Sequence, residues 1–346
     1  MADTRTKILV AGLGSIGKRH ARLISPRTDT QLMLCDPVQE NMELAVGQLA
    51  APPLSTFADY GDALAARPDI VIIATPNRLH VPMGIQAIKA GCDVLVEKPI
   101  SDELTDGRKL VDAANQAGRL LRIGYMLRHD PGLLHLRQFV HDGRIGNLVG
   151  GRSMIGTYIT LLNAVSPDRD KRPNSLIVDY THELDFVRWL FGNAKSVLAA
   201  GATVGERELK PTPNLFQMIY KMQSGALVSI HMDYLQHPQR RSLELFGDQG
   251  TIAYDMQNGE IQIFDYGKET RFERINVGDV MHRVDDLYRK QLDNFLADRI
   301  AIAANGTVDE NDLSIARVTG EDGLAALIWA EAAITAASIG KAVAIA

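Results

Sequence analysis

Five short apolar runs mark the first third of the chain: Lys7–Ala11, Gln31–Cys35, Asp69–Ala74, Asp93–Val96 and Arg119–Ile123. Each is nearly continuous in aliphatic residues, which predicts strands buried on both faces. Between them, Ile16–Ile24, Val38–Leu49, Tyr60–Ala66, Val81–Ala90 and Glu103–Gln116 repeat apolar positions at helical spacing. Strand and helix in alternation predict a parallel sheet with helices on both faces, and right-handed crossovers make it doubly wound.

The rhythm changes after Gly124. A helix over Pro131–Asp142 stops at Gly143, and Asn147–Thr157 reads as a strand. From Ser196 to Val277 strand patterns alternate with turn signals at Gln223-Ser224-Gly225, Gly247-Asp248-Gln249-Gly250 and Gln257-Asn258-Gly259. That spacing predicts an α+β unit on a mostly antiparallel sheet. The tail is helical over Asp285–Asp298 and Gly323–Ser338. With 346 residues, two domains are expected, residues 1–124 and residues 125–346, with the last helices free to pack back on the first. No low-complexity linker separates them, so tight docking is expected.

Composition narrows the function classes. A net charge of -5 with no basic run excludes a phosphate-binding footprint and hence a nucleic-acid partner. No stretch approaches the roughly 20 consecutive apolar residues of a membrane span, and the polar start, Met1–Lys7, lacks the apolar stretch expected of a signal peptide. Cys35 and Cys92 stand alone and suit a reducing cytoplasm. His20, His129, His135, His141, His231, His237 and His282 show no metal-ligand spacing, so no catalytic metal is expected.

Candidate chemistry begins at Gly12-Leu13-Gly14-Ser15-Ile16-Gly17, which lies between a predicted strand and a predicted helix. That context converts a common glycine pattern into a dinucleotide site, with the helix N-terminus facing a pyrophosphate. Asp36 ends the next strand, where an acid takes the ribose hydroxyls and repels a 2′-phosphate. Pro37, Val38 and Gln39 follow it and bring no arginine, so NAD is expected over NADP. Thr75-Pro76-Asn77 and Glu97-Lys98-Pro99 each follow a strand and therefore lie at the carboxyl edge of the sheet, where ligands bind in such folds. A lysine directly after a buried strand calls for an anion or a developing alkoxide.

Gly12–Gly17, Ala74-Thr75-Pro76-Asn77 with His80, and Ala90–Pro99 together resemble the Gfo/Idh/MocA oxidoreductases, named for glucose-fructose oxidoreductase and inositol dehydrogenase. The likeness continues through Gly124–Arg128, Ile177–Gly192 and Gly320–Leu324, and so covers most of the chain. It implies a Rossmann domain followed by an open, mostly antiparallel sheet, hydride transfer between NAD(P) and a sugar or polyol carbon, and a homodimer or homotetramer. It also implies cofactor contacts at Gly12, Gly14, Ser15, Ile16, Gly17, Asp36, Thr75, Asn77, His80, Glu97 and Lys98.

The second catalytic element implied is Val178–Asp185. His182 can take and return a proton near neutral pH, and Lys98 would stabilise the charge on the reacting oxygen. The family pattern has Asp four residues before His; here that place is Val178 and the carboxylate is Asp179, three before His182. On one helix, Asp179 and His182 would share a face. Tyr125, Arg128 and Tyr158 follow the sheet edge as substrate contacts, with Arg128 equally suited to holding the domains together. Asn163–Asn174, with Asp168, Arg169, Asp170, Lys171 and Arg172, reads as a solvated loop that in this family can reach a neighbouring subunit. A non-catalytic dinucleotide sensor on the same scaffold, or a reductase of another cyclic carbonyl compound, are the competing expectations.

Overall fold

The computed structural model describes residues 5–162, 173–206, 208–209, 211–267, 272–279, 283–309, 312 and 316–345. Two compact units divide the chain: Met1–Met126 with Asp285–Leu324, and Leu127–Val284 with Ala325–Ala346.

The first unit runs β1 (Thr6–Ala11), α1 (Ser15–Ile24), β2 (Thr30–Cys35), α2 (Gln39–Val46), β3 (Ser55–Phe57), α3 (Tyr60–Ala65), β4 (Ile70–Ile73), α4 (His80–Lys89), β5 (Asp93–Val96), α5 (Leu104–Ala117) and β6 (Leu121–Ile123). Its six strands pair in the order β3-β2-β1-β4-β5-β6, all parallel. The order reverses between β1 and β4, which opens the crevice that such sheets offer to ligands at their carboxyl edge. Ile8, Val10, Ile70, Ile72 and Leu95, all at 0% exposure, form the centre of its core.

The second unit continues with α6 (Pro131–His141), β7 (Leu148–Gly156), α7 (Ile159–Leu162), α8 (Ser175–Asp179) and α9 (Thr181–Phe191). Then come β8 (Ala194–Ala202), β9 (Leu215–Met222), β10 (Leu227–Asp233), β11 (Arg240–Gly247), β12 (Gly250–Asp255), β13 (Glu260–Asp265) and β14 (Phe272–Asn276). The chain closes with α10 (Val284–Asn305), α11 (Gly320–Ile339) and β15 (Val343–Ala344). Nine strands pair as β14-β13-β12-β11-β7-β10-β9-β8-β15, antiparallel except for β7 with β10.

One face of this sheet is covered. Trp329 of α11 stacks on Tyr220 at 4.5 Å between ring centroids. A Cβ on Gly151 would strike the Phe191 ring at the end of α9. By length and hydropathy (mean 1.3) α11 resembles a membrane span, although Glu321, Asp322 and Glu331 interrupt its apolar run. Its Trp329, Ala330, Ala333 and Ala336 are no more than 1% exposed, so its apolar side is core.

Candidate active site

The glycine turn is built by steric necessity and by one vacancy. Beyond β1 the ladder continues, with Gly12 N donating to Cys35 O at 2.9 Å and Ala74 N donating to Ala11 O at 2.8 Å. Gly12 adopts φ +86°, and a Cβ there would lie 2.7 Å from Ala74 O. A Cβ on Gly17 would fall on the Gly12 carbonyl oxygen. Those two glycines are required by the turn and by the packing of α1. Gly14 is different: a Cβ there would meet nothing within 4 Å. Open space at Gly14, beside the first-turn N–H groups of Ser15, Ile16 and Gly17, is the form a pyrophosphate needs.

Asp36 is 7% exposed. Its Oδ2 accepts from Leu13 N at 2.6 Å, and its Oδ1 accepts from Val38 N at 2.8 Å and from Asn41 Nδ2 at 3.3 Å. A carboxylate has about four acceptor positions, so Asp36 can fix the glycine turn and still receive a ribose hydroxyl. Thr75 Oγ1, at the end of β4, is buried without a hydrogen-bond partner among the described residues. The turn, the acid and this hydroxyl fit a dinucleotide.

The next two turns are tied to each other. Asn77 Nδ2 donates to Asp102 Oδ1 at 3.0 Å. His80, 1% exposed, places Nδ1 2.8 Å from Pro99 O and Nε2 2.9 Å from Thr75 O. Burial lowers the His80 pKa, and the two carbonyls oppose that shift. Both ring nitrogens therefore face protein atoms, which makes His80 a brace between the turns. Glu97 extends the ladder through its N–H to Ile73 O at 2.9 Å. Its Oε1 lies 2.8 Å from His20 Nε2, and both side chains are buried. Gly124 leaves room for the same carboxylate, since a Cβ there would lie 2.6 Å from Glu97 Oε2. Lys98 follows, partly exposed. Tyr125, expected as a substrate contact, is 0% exposed.

In the second unit, the single helix expected for Asp179 and His182 is divided. Tyr180, at φ -110° and ψ 32°, ends α8 and precedes α9. Asp179 closes the first helix and His182 lies in the first turn of the second, so helical spacing does not relate them. The break is anchored from outside: Tyr180 Oη lies 2.6 Å from Thr160 Oγ1, and burial pushes the phenol up to about 12. Asp179 Oδ2 accepts from Tyr234 Oη at 2.6 Å. His182 is 8% exposed.

Two buried ion pairs hold α9. Glu183, at 0% exposure, receives Arg241 Nε at 2.6 Å and Nη2 at 3.0 Å. Asp185 receives Arg128 Nε at 2.9 Å and Nη2 at 2.6 Å, with both side chains 2% exposed. The Arg128 fork, read as a substrate contact or a tie between domains, is thus engaged by a carboxylate of its own unit. Tyr158 is 8% exposed, and its Oη accepts from Leu209 N at 3.3 Å. Tyr234 and Arg241 give no signal in the sequence, His20 stands there only among histidines without metal spacing, and Glu183 only within Val178–Asp185, because their partners are 55 to 77 residues away. Residues 163–172 and His282 lie outside the described residues. Among the described residues no three His, Cys, Asp or Glu side chains group as a metal site.

Fold and site define a class first: a nucleotide-binding Rossmann unit followed by a mostly antiparallel sheet. Residues 6–125 match the Gfo/Idh/MocA oxidoreductase family, NAD-binding Rossmann fold, and residues 133–253 match the C-terminal domain of the same family. The chain belongs to the Gfo/Idh/MocA family, and its first unit is an NAD-binding one.

It is 28% identical to inositol 2-dehydrogenase 4 of Saccharopolyspora erythraea over 67% of this chain and 68% of that protein. Inositol 2-dehydrogenase of Acidothermus cellulolyticus is 25% identical over 96% of this chain and 92% of its own length. The fold matches scyllo-inositol dehydrogenase of Lactobacillus casei, solved with NAD(H) and scyllo-inositol, at a TM-score of 0.81 and 21% identity over 99% of each chain.

Proposed function

We propose that the protein is an NAD-dependent dehydrogenase of a polyol or sugar, with cyclic polyols of the inositol type as the first class to test. The observation that carries this is the Glu97-Lys98-Pro99 turn. It sets a lysine at the same carboxyl sheet edge as the vacancy beside Gly14 and holds it between two buried anchors. The relatives' names support the substrate class.

NAD, when bound, supplies the acceptor for a hydride from the carbinol carbon. Lys98 donates a hydrogen bond to the substrate oxygen and stabilises its developing charge. His182 takes the hydroxyl proton, leaving a carbonyl, and returns it to solvent. Asp179, oriented by the Tyr234 phenol, accepts from a further substrate hydroxyl or holds the imidazole in place. The same groups serve the reduction of a cyclic ketone in reverse.

The test is NADH formation from a panel of cyclic polyols, aldoses and anhydrosugars. Turnover of a polyol is expected; tight NADH binding with no turnover on any of them would assign a sensor instead.

Cofactor choice gives a second measurement. Asp36→Ala removes a charged acceptor, a loss of about 1.5–3 kcal/mol. The KM for NAD is expected to rise roughly 10- to 100-fold, by conversion of that energy, and the preference over NADP to shrink. An unchanged ratio of kcat/KM for the two cofactors would remove Asp36 from selection.

The face of the nine-stranded sheet opposite α9 and α11 suits a second copy of the chain. The register carries one row from Leu198 through Ile219, Ser229, Arg152, Glu244, Ala253 and Gln262 to Arg274, all on that face. At one end of it Leu198, Ile219 and Leu227 are 47%, 48% and 54% exposed, apolar surface that a second copy would cover. A homodimer or homotetramer is expected in light scattering, and Leu227→Glu with Ile219→Glu should yield a folded monomer. Cys35 and Cys92 are separate buried thiols, which suits a cytoplasmic enzyme.

A further inference from the structure

Two buried histidines bracket Lys98, and neither has a place in the hydride and proton steps. His20 lies on α1, the helix that starts at the glycine turn, and is 2% exposed. Its Nε2 is 2.8 Å from Glu97 Oε1, one residue before Lys98. His80 opens α4, and its Nδ1 is 2.8 Å from the carbonyl of Pro99, one residue after Lys98. Its Nε2 is 2.9 Å from Thr75 O, so the same ring also holds the turn after β4.

Both contacts reach the lysine's immediate neighbours from elements that the cofactor turn and the β4 turn themselves position. A buried carboxylate is costly without a partner, and among the ion pairs of the described residues Glu97 has His20 alone. On the far side Gly124 makes room for the other oxygen of Glu97, since a Cβ there would lie 2.6 Å from Oε2. Tyr288 closes over His20 in an edge-to-face contact, 5.0 Å between centroids, and fixes the ring plane.

We propose that His20 and His80 are positioning residues that set the direction of the Lys98 ammonium, His20 through the Glu97 carboxylate and His80 through the Pro99 carbonyl. The inference rests on the reading of Lys98 as the residue that contacts the reacting oxygen. Its physical content is that a side chain with four rotatable bonds is useful only if its backbone is fixed. A displacement near 1 Å at the reacting group can cost on the order of 100-fold in rate.

Steady-state kinetics and NADH fluorescence titration on the full-length chain test it together. His20→Ala and His80→Ala are each expected to lower kcat about 10-fold or more, with the polyol KM and the NADH Kd within about threefold of the unaltered protein. His20→Gln retains a donor for Glu97 and is expected to recover most of the kcat lost in His20→Ala. If His20→Ala does not fold, His20→Gln against Glu97→Ala makes the same comparison.

Loss of NADH binding in step with kcat, or no recovery in His20→Gln, would show an architectural role and overturn the proposal. Unchanged kcat in both alanine variants would overturn it as well. Lys98→Ala separates this failure from failure of the catalytic reading. If Lys98→Ala is inactive while the histidine variants are normal, only the positioning roles fall; if Lys98→Ala is fully active, the role of Lys98 falls first.

Discussion

Lys98→Ala and His182→Ala are each expected to lower kcat by at least about 100-fold, the usual worth of a positioned proton donor or acceptor. The two losses have different origins. Without Lys98, the oxygen that gains charge as hydride leaves has lost a preorganised cation, and that interaction strengthens only along the reaction coordinate. Without His182, the hydroxyl proton has no acceptor of suitable pKa near neutral pH. His182→Ala should keep the NADH Kd of the unaltered protein, because the open space at Gly14 and Asp36 are untouched. The double variant should be little worse than either single one, since groups that act in one step do not contribute independently. Full activity in either single variant would reject the assignment.

Asp185→Ala is expected to destabilise the second unit by about 3–5 kcal/mol, measured by urea denaturation. Asp185 and Arg128 are each 2% exposed and joined by two hydrogen bonds, so removing the carboxylate takes a buried guanidinium's ion-pair partner away. The face of Trp189, at 5.3 Å from the guanidinium carbon to its centroid, is worth far less than the lost ion pair. Replacing both partners, Arg128→Met with Asp185→Leu, should recover most of the loss, because no uncompensated charge remains. The exposed pair Arg108–Glu321, at 47% and 57%, should be nearly neutral to the same treatment. A small effect from Asp185→Ala would mean that water reaches Arg128.

The doubly wound sheet was legible because β1, β2, β4 and β5 each bury an unbroken apolar run between helical stretches, and β6 a run interrupted only by Arg122. β3 escaped notice: Ser55–Phe57 after Pro52-Pro53 is only three residues, half-buried, exposed and half-buried, too short for a period to be read. The helix break at Tyr180 was also invisible, since apolar spacing runs across it and the cause is a hydroxyl contact with Thr160. The glycine turn and Asp36 could be placed because strand–turn–helix order is local. The anchoring of Lys98 could not, as His20 is 77 residues from Glu97 and His80 grips a backbone carbonyl that leaves no trace in composition. Arg128 misled for a related reason: a lone arginine near a sheet edge does not announce a partner 57 residues on.

The return of α10 to the first unit carries a consequence for synthesis. Leu292 and Phe295 belong to the same core cluster as Ile8, Val10 and Leu95, and Arg122 and Arg317 both close on Asp298. A ribosome that has released residues up to Met126 has delivered all six strands of the parallel sheet but not the helix that seals them. That sheet must wait, with one flank of its core uncovered, while residues 127–284 of the second unit are translated. The part of the chain that is begun first is thus completed near the end, and an expressed fragment ending at Met126 would carry an open apolar wound rather than a finished domain.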